Sequence, residues 1–491
     1  MNIYGFVEEN FRLRPNKAAI KTKDREITYA ELTTLTRSLG SNLRKAGIGF
    51  GEHITLMLPN IPEFIISYMA TIGIGATIVP VNPTYTSREL LHILMDSDSK
   101  ALIIEASNID TYLESKEKYP VKTVITTGEN GNFNEWITGN NQPILIETGN
   151  DDVASMVYSS GLTGYSMGAQ LTHGNLEHNS GLMERVYKGT DKEMSLTIIP
   201  CFHSFSATIN MLTHLRLGGT VYLMKRPDFK EMGQAINSAG ITNICAVPTL
   251  FFGLIHHPDV QNVSFSKMRF LIAGGSALSI DVFNAFKEKF GLEIMHGYGI
   301  TEASPVCSAN NMYVLNKPES IGLPVPDVEV SIVDDNGKTL APGQQGEILF
   351  KGPNIMKGYY KRPKETAEII QDGWLHTGDL GHLDEDGYIY ITGYKKDMII
   401  TSGFNVYCRE VENVLAEIPG IRESAITGVP DLMRGAIVKA FVVSDNPALT
   451  ENDVKQYARK QLAPYKTPRI VVFVDKIPRD EKGKPQFKLM G

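Results

Sequence analysis

The residues of this sequence best suited to bind a phosphate lie in SSGLTG, residues 159–164, directly after the apolar run ASMVY. The hydroxyls of Ser159, Ser160 and Thr163, together with backbone N–H groups near Gly161 and Gly164, can surround a polyphosphate. Glycine allows the backbone to approach such a ligand closely. The segment is not a Walker A loop, because it has no Gly-Lys-Ser/Thr. By itself it fits a polar surface turn equally well.

The same region contains GYSMG, residues 164–168, which matches the Gly-x-Ser-x-Gly pattern of serine hydrolases. In that motif a strand runs straight into a tight turn that carries the nucleophile. Here SSGLTG separates the strand from Ser166. The pattern is short and the chain has 44 glycines, so chance matches are common. A hydrolase with Ser166 as the nucleophile is therefore an alternative hypothesis.

A second motif, MHGYGITEAS, residues 295–304, combines an aromatic ring, a hydroxyl and a carboxylate after a predicted strand. Tyr298 can stack on a flat base, Thr301 can offer its hydroxyl to a phosphate, and Glu302 is an oxygen ligand suited to Mg²⁺. The alternative is a helix N-terminus, with Thr301 as the cap and Glu302 favoured by the helix dipole. His296, taken alone, is interpreted as a structural or surface residue.

Two further candidates are single charged residues in glycine-rich segments. Asp379 in HTGDLG is predicted to lie in a turn flanked by glycines, where its carboxylate can bind paired ribose hydroxyls. An ordinary β-turn aspartate is the alternative. Lys484, in IPRDEKGKPQFKLM near the C-terminus, is either a functional cation or part of a solvated basic tail.

Composition and charge restrict the class of protein that carries these motifs. The 491 residues are 42% hydrophobic and 21% charged, which is ordinary for a globular protein, and the length corresponds to about three domains. A net charge of −7 gives no support for nucleic-acid binding. The four cysteines are far apart, so neither a zinc site nor a disulfide framework is indicated. Reduced thiols in a cytoplasm are the simplest interpretation.

The elements that must position the motifs alternate between amphipathic helices and short apolar strands. This alternation predicts an α/β fold whose large N-terminal domain has mostly parallel sheets covered by helices. The most membrane-like run, residues 64–81, contains Gly73, Gly75 and Pro80, so we interpret it as a buried helix followed by a buried strand. Short strand-like pieces with turns predict a β-rich subdomain from about 320 to 394. We place the domain boundary at 394/395, before a small C-terminal α+β domain over 395–491.

The order of these motifs along essentially the whole chain resembles the adenylate-forming enzymes, specifically the AMP-forming acyl-CoA synthetases. The resemblance implies a mobile C-terminal domain and a nucleotide site. Its nucleotide-binding residues would be Ser159, Ser160, Gly161, Thr163, Gly164, Gly275, His296, Gly297, Tyr298, Thr301, Asp379 and Tyr394. The PCFHSF segment resembles the family's substrate motif, which places His203 and Phe205 at the acyl pocket. The AGGSAL segment resembles the one that contacts adenine and the acyl group, which places Gly275 there.

The same resemblance implies catalytic roles for Lys484, Thr301 and Glu302, with Glu302 as the Mg²⁺ ligand. Lys396 corresponds to the hinge, and Ser402 and Gly403 to a segment that forms the CoA tunnel. The implied activity is carboxylic acid + ATP + CoA → acyl-CoA + AMP + pyrophosphate, through an acyl-adenylate. The partners are then small molecules, with no nucleic acid and no stable membrane insertion, and the family's frequent homodimers make a dimer an expectation.

The chain departs from the family pattern at groups directed at phosphate. Met167 stands where a lysine is usual, Tyr165 where a second basic residue is common, and Tyr394 where an arginine usually contacts ribose or phosphate. Three explanations stay open: a ligase with a looser grip on pyrophosphate, an enzyme that runs in reverse to make ATP, or a weakened nucleotide or acyl sensor on the same fold. The segments CFHSFSATI and AGGSAL predict an apolar pocket for a medium-chain, alicyclic or aryl acid.

Overall fold

The computed structural model describes residues 2–139, 141–160, 166–395, 398–431, 433–479 and 485–490. Its α-helices are α1 (Gly5–Leu13), α2 (Tyr29–Lys45), α3 (Pro62–Gly73), α4 (Ser87–Asp96), α5 (Ile109–Leu113), α6 (Phe133–Trp136), α7 (His173–Ser180), α8 (Leu182–Tyr187), α9 (Thr213–Leu217), α10 (Phe229–Ser238), α11 (Pro248–His256), α12 (Ile280–Phe290), α13 (Pro363–Ile369), α14 (Cys408–Leu415) and α15 (Glu451–Gln461). Short 3₁₀ helices cover Ala106–Asn108, Pro258–Val260, Thr301–Ala303 and Phe487–Leu489, and Ser206–Leu212 is π-helical.

A seven-stranded sheet carries the first motif. Its strands are β3 (His53–Met57), β4 (Thr77–Pro80), β5 (Ala101–Glu105), β6 (Thr123–Thr127), β7 (Val153–Ser160), β8 (Ser166–Thr172) and β18 (Gly358–Tyr359), in the order β18-β8-β7-β4-β3-β5-β6. The strands from β7 to β6 pair in parallel, whereas β7 and β8 form an antiparallel pair. The predicted strand therefore continues through Ser159 and Ser160 instead of ending before them.

A nine-stranded sheet carries the second motif. Its strands are β1 (Ala18–Lys21), β2 (Glu26–Thr28), β9 (Met194–Thr197), β10 (Thr220–Leu223), β11 (Asn243–Ala246), β12 (Phe270–Ala273), β13 (Ile294–Gly299), β14 (Val306–Ala309) and β15 (Leu323–Pro324), in the order β15-β14-β13-β12-β11-β9-β10-β1-β2. Pairing is parallel from β13 to β1 and antiparallel at both edges. These two sheets and their helices confirm the predicted α/β class with a large N-terminal domain.

A third sheet is antiparallel and comes from the region predicted to be β-rich. It contains β16 (Glu329–Val333), β17 (Gly346–Lys351), β19 (Ile370–Gln371), β20 (Trp374–Leu383) and β21 (Ile389–Tyr394). Asp379 lies within β20, opposite Tyr394 of β21, so the prediction of a turn at Asp379 was wrong. Gly378 adopts φ +73°, a backbone conformation that favours glycine, but the strand continues through it. The glycines on both sides of Asp379 had suggested a turn.

The small C-terminal domain has its own core. It contains the hairpin β22 (Met398–Thr401) and β23 (Phe404–Tyr407) and the sheet β24 (Ile421–Asp431), β25 (Gly435–Ser444) and β26 (Ile470–Phe473). Apolar residues of α14 and α15, such as Val411, Leu415 and Val454, pack against this sheet in one buried cluster. The boundary at 394/395 and the mobility of this domain stay predictions.

The apolar run at residues 64–81 forms a helix and a strand, as predicted. α3 is buried from Phe64 to Gly73 and β4 is buried along its whole length, so both belong to the core of the N-terminal domain. A search of the described residues finds no helix with the length and apolar character that a membrane crossing requires.

Candidate active site

Two adjoining cavities lie where the N-terminal sheets, β20 and the β22–β23 hairpin meet. The larger cavity has a volume of about 380 Å³ and the smaller about 120 Å³. They share a wall that includes His203, Ser204, Thr301 and Asp379. The sequence motifs are therefore brought together from separate elements onto one continuous site.

Glu302 lies in the smaller cavity, fixed by hydroxyls from two other strands. Ser159, at the end of β7, donates from Oγ to Glu302 Oε1 at 2.7 Å, and Tyr359 of β18 donates from its hydroxyl to the same oxygen at 2.7 Å. Burial, and then the Glu302 charge, hold the pKa of Tyr359 well above its ordinary value, so this hydroxyl stays a donor. Both hydrogen bonds use Oε1, so among the described residues Oε2 of Glu302 stays available to bind a ligand.

Thr301 is adjacent to this carboxylate but is not a helix cap. It begins a 3₁₀ turn of three residues, and no side-chain capping hydrogen bond is present there. Its Oγ1 lies 3.4 Å from Ser204 Oγ. The alternative in which Thr301 caps a helix is therefore wrong: Thr301 belongs to the shared wall, and Glu302 lines the smaller cavity.

Tyr298 and Asp379 form a second fixed pair. The Tyr298 hydroxyl donates a short hydrogen bond to Asp379 Oδ2. The Tyr298 ring stacks on Phe350 of β17, with centroids 5.9 Å apart and planes at 27°. Burial and the neighbouring Asp379 charge raise the pKa of Tyr298 well above its ordinary value. Asp379 thus lines both cavities as a carboxylate whose position is set by β20 and by Tyr298.

The glycine-rich turn after β12 forms another part of the larger cavity. Gly275 has φ +78°, a conformation that favours glycine. His296 donates from Nε2 to the Ser276 carbonyl oxygen at 3.2 Å, and burial lowers its pKa, so the ring is neutral. Gly297 follows in β13 and also lines the cavity. His296 therefore holds the 274–277 turn and also lines the larger cavity, and its predicted role in nucleotide binding stays a prediction.

His203 and Phe205 lie at the apolar part of the larger cavity. The Phe205 N–H donates to His203 Nδ1 at 3.2 Å, which requires a neutral imidazole, and burial lowers the His203 pKa to about 4. Phe205 packs against Gly274, where a Cβ atom would lie 3.3 Å from its ring. Around them the wall is formed by Leu182, Met183, Val186, Tyr187, Ile209, Ile272, Val306, Ile321 and Val325.

The hairpin of the C-terminal domain completes the site. Ser402 and Gly403 occupy its turn with φ +51° and +83°, and Gly403 and Asn405 line the larger cavity. A Cβ atom on Gly403 would lie 2.6 Å from Val247 Cγ1, so this approach requires glycine. Phe404, next in the chain, stacks between Phe202 and Tyr465 at centroid distances of 6.2 and 4.7 Å.

Two of the three departures from the family pattern, Met167 and Tyr394, lie in the described residues and have different surroundings. Met167 pairs directly with Ser159 in the β7–β8 ladder and is buried in the main core, at 4% exposure. Tyr394 is 42% exposed beside Asp379 at the larger cavity. Among the described residues that line either cavity, none is lysine or arginine.

Several predicted site residues lie outside the described residues. These are Gly161, Thr163, Gly164, Lys396 and Lys484, and the side chain of Ser160; Tyr165, one of the departures from the family pattern, also lies outside them. Their roles stay predictions.

Tyr359 is the clearest site residue that the sequence analysis missed. It occurs in GYYKRP, where nothing local distinguishes it from Tyr360, whose hydroxyl donates instead to Asp98 at 2.9 Å. Only the pairing of β18 with β8 places Tyr359 beside Glu302.

The geometry does not favour Ser166 as a nucleophile. Ser166 is the first residue of β8 in an antiparallel hairpin, not a residue of a strand-to-helix turn. The imidazole of His92 approaches it, but Nε2 lies 3.0 Å from the backbone carbonyl oxygen of Ser166.

Comparison with known proteins agrees with this geometry. Residues 7–360 match the family model described as AMP-binding enzyme, and residues 410–484 match the model of the AMP-binding enzyme C-terminal domain. A long-chain-fatty-acid–CoA ligase of Bacillus subtilis is 34% identical, with 96% of this chain and 90% of the relative covered. A feruloyl-CoA synthase of an Amycolatopsis species is also 34% identical, over 96% and 95%. The fold is similar to the solved structure of a double mutant of o-succinylbenzoate CoA synthetase from Bacillus subtilis bound with its product analogue. The TM-score is 0.89 and the identity 28%, with 99% of this chain and 97% of that chain covered.

Proposed function

This chain belongs to the AMP-binding enzyme family as an AMP-forming acyl-CoA synthetase, and we propose that it activates a medium-chain, alicyclic or aryl carboxylic acid. The two named relatives, a long-chain-fatty-acid ligase and a feruloyl-CoA synthase, differ in acid, so the family leaves the substrate open. The proposal about the acid therefore depends on the larger cavity.

The observation that carries the proposal is the size and lining of that cavity. Its volume of about 380 Å³ is near the lower end for drug-sized ligands, and its wall includes nucleotide-site residues as well as the apolar residues around Phe205. A compact apolar acyl group fits the remaining space. No described lysine or arginine lines the wall to pair with a second carboxylate, which argues against a diacid.

The residues that line the two cavities fit a nucleotide with Mg²⁺. In proteins this ion is bound through one or two carboxylates together with phosphate oxygens of the substrate. Glu302 offers one fixed carboxylate, and the described residues contain no cluster of three or more His, Cys, Asp or Glu that could hold a metal alone. Bound there, Mg²⁺ would offset negative charge on the phosphates. Asp379 is suited to bind the ribose hydroxyls.

The proposed reaction has two steps. An oxygen of the acid attacks the α-phosphorus of ATP, and pyrophosphate leaves to give the acyl-adenylate. The CoA sulfur then attacks the acyl carbon, and AMP leaves with the oxygen that came from the acid. In the first step Thr301 would bind phosphate and Lys484 would stabilise the developing charge. His203, held neutral, would orient the acyl group beside the CoA path.

We further propose that residues 395–491 move as a unit between the two steps, with Lys396 at the hinge. In the arrangement described here Gly403 and Asn405 line the larger cavity, whereas Arg479 and residues 485–490, which flank Lys484, line neither cavity. This supports an arrangement suited to the CoA step. A homodimer and a cytoplasmic location remain predictions.

The absence of a described cation at the cavities supports a second proposal, on direction. A hydrogen bond to a charged group contributes about 1.5–3 kcal/mol, so Met167 and Tyr394 in place of cations would weaken the hold on pyrophosphate. A weaker hold on pyrophosphate speeds its release in the forward reaction and raises the pyrophosphate concentration that the reverse reaction needs. We therefore propose that the enzyme works mainly as a ligase, with ATP formation from acyl-CoA, AMP and pyrophosphate as the alternative hypothesis. ATP formation from those three compounds that is faster than forward turnover would contradict this.

An acid panel tests the substrate proposal. Purified protein with ATP, Mg²⁺ and CoA is assayed for AMP with acids of increasing chain length, cyclohexanecarboxylate, benzoate and a diacid. We expect the highest kcat/KM for a medium-chain or cyclic acid and little turnover of the diacid. An acid with a chain of roughly 16 or more carbons is too long for the cavity. Preference for such an acid would contradict the proposed substrate class.

A further inference from the structure

A buried lysine connects the C-terminal domain to the N-terminal domain. Lys466 Nζ lies 2.8 Å from Glu89 Oε1 and 2.7 Å from Glu410 Oε1, and its side chain is only 3% exposed. Glu89 belongs to α4 of the N-terminal domain, whereas Glu410 belongs to α14 of the C-terminal domain. The rings of Tyr85 and Tyr465 lie 5.2 and 5.7 Å from the ammonium group. We name these five residues the Lys466 cluster.

The charges of this cluster make the contact between domains specific. A buried ammonium group is costly unless it is paired and hydrogen-bonded. Glu410 alone would pair with Lys466 inside the C-terminal domain, so Glu89 supplies the part of the interaction that depends on docking. Oε2 of Glu410 is buried with no hydrogen-bond partner in the described part of the chain, so Glu410 does not satisfy the site completely.

The Lys466 cluster is connected to the hairpin at the larger cavity through stacked aromatic rings. Tyr465, adjacent to Lys466 in the chain, stacks on Phe404 at 4.7 Å, and Phe404 follows Gly403 in the hairpin that lines the larger cavity. A second contact lies at the same interface: Arg88 of the N-terminal domain forms two hydrogen bonds of 2.7 Å with Glu417 of the C-terminal domain. Fixing Lys466 therefore fixes the position of the hairpin.

We propose that the Glu89–Lys466 ion pair is a latch that holds the C-terminal domain with Gly403 at the larger cavity, and so promotes the thioester-forming step. Glu89 and Lys466 then act as positioning residues, because neither contacts the reacting atoms. This inference depends on the proposed function, since it assigns the latch to one of its two steps.

The test variant is Glu89→Gln, and its matched control is Glu410→Gln. Glu89 Oε2 accepts from the Thr86 N–H at 2.9 Å in the capping box of α4, and glutamine can keep that bond while losing the charge. Glu410→Gln removes the same charge from the same lysine within one domain and keeps the Glu89–Lys466 pair. With preformed acyl-adenylate and CoA, we expect Glu89→Gln to slow thioester formation about tenfold or more. Acid-dependent ATP–pyrophosphate exchange should stay within about twofold of the parent.

A second readout follows docking without activity. Arg88 and Glu417 are 43% and 41% exposed, and all four native cysteines are free and buried. Both residues are replaced by cysteine (Arg88→Cys with Glu417→Cys) in the parent and in each variant. A short bis-maleimide then joins the two thiols only when the domains are docked. We expect Glu89→Gln to lower the cross-linking rate about tenfold and Glu410→Gln to leave it near the parent value.

The outcomes separate the two proposals. Unchanged cross-linking in Glu89→Gln, or equal losses in both variants, would overturn the latch. If the parent protein forms no adenylate with any acid, the proposed function fails, and the cross-linking rates still decide whether Glu89 and Lys466 hold the domains together.

Discussion

Replacing Gly403 by alanine should block the CoA step while sparing the first step. Gly403 has φ +83°, and an added Cβ atom would lie 2.6 Å from Val247 Cγ1. The clash with Val247 applies only when the β22–β23 hairpin is docked at the larger cavity, whereas the backbone cost belongs to the turn of the hairpin in either arrangement. Only the clash therefore shifts the docking equilibrium.

The size of the effect follows from two contributions. A left-handed backbone costs a non-glycine residue about 1–2 kcal/mol. Overpacking against Val247 adds about 1–3 kcal/mol. Only the overpacking differs between the docked and undocked arrangements, so the docked population falls by about 5-fold to 150-fold, while the backbone cost lowers the stability of the hairpin in both.

Single-turnover assays of the two steps measure this effect. Thioester formation from acyl-adenylate and CoA should fall by that factor, whereas ATP–pyrophosphate exchange should be nearly unchanged. Val247→Ala in the same chain should recover the packing part only. Gly435→Ala is the control, because Gly435 has φ +77° but its added Cβ would meet no atom closer than 3.6 Å. Equal loss of both steps, or no recovery with Val247→Ala, would refute the reasoning.

Three further predictions concern other contacts of the site and the core. Tyr359→Phe removes a hydrogen bond to the Glu302 carboxylate worth about 1.5–3 kcal/mol, so ATP–pyrophosphate exchange should slow about tenfold or more. The control Tyr360→Phe should leave the exchange rate unchanged. Equal rates for the two variants would contradict this role of Tyr359. Met167→Lys places a charge at a core position opposite Ser159, so it should lower the free energy of unfolding by about 1–3 kcal/mol and yet tighten pyrophosphate binding. Calorimetry measures both effects, with Met167→Leu as the uncharged control. An unchanged pyrophosphate affinity in Met167→Lys would contradict a phosphate role for this position. Burial lowers the pKa of His173 and His214 to about 4, below the value near 6.5 of an unfolded chain, so the unfolded state binds more protons between these values. Stability should be complete above pH 6.5 and fall as the pH decreases, by about 2 kcal/mol for each histidine at pH 5. Urea titrations of His214→Gln should show a weaker pH dependence, and an unchanged slope would contradict the assignment.

The sequence predicted those parts of the site that depend on local pattern. Ser159 and the MHGYGITEAS motif follow apolar runs that predict strands, and the structure places Ser159, Tyr298, Thr301 and Glu302 at one pair of cavities. The helix and strand of residues 64–81 follow from their apolar run.

Contacts between distant segments could not be predicted in this way. Tyr359 reaches Glu302 only because β18 pairs with β8, and Lys466 reaches Glu89 only because two domains pack together. Asp379 was misplaced in a turn because its flanking glycines suggested one, whereas pairing with Tyr394 keeps it in a strand. Tertiary pairing determined each of these positions.

Oxygen transfer from the acid to AMP tests the central claim most directly. The acid is labelled with ¹⁸O in its carboxylate and incubated with ATP, Mg²⁺, CoA and the protein, and the AMP is examined by mass spectrometry. An acyl-adenylate route predicts one labelled oxygen in each AMP formed with thioester, and loss of both products in Lys484→Ala. Unlabelled AMP, or ADP as the nucleotide product, would contradict the proposed reaction.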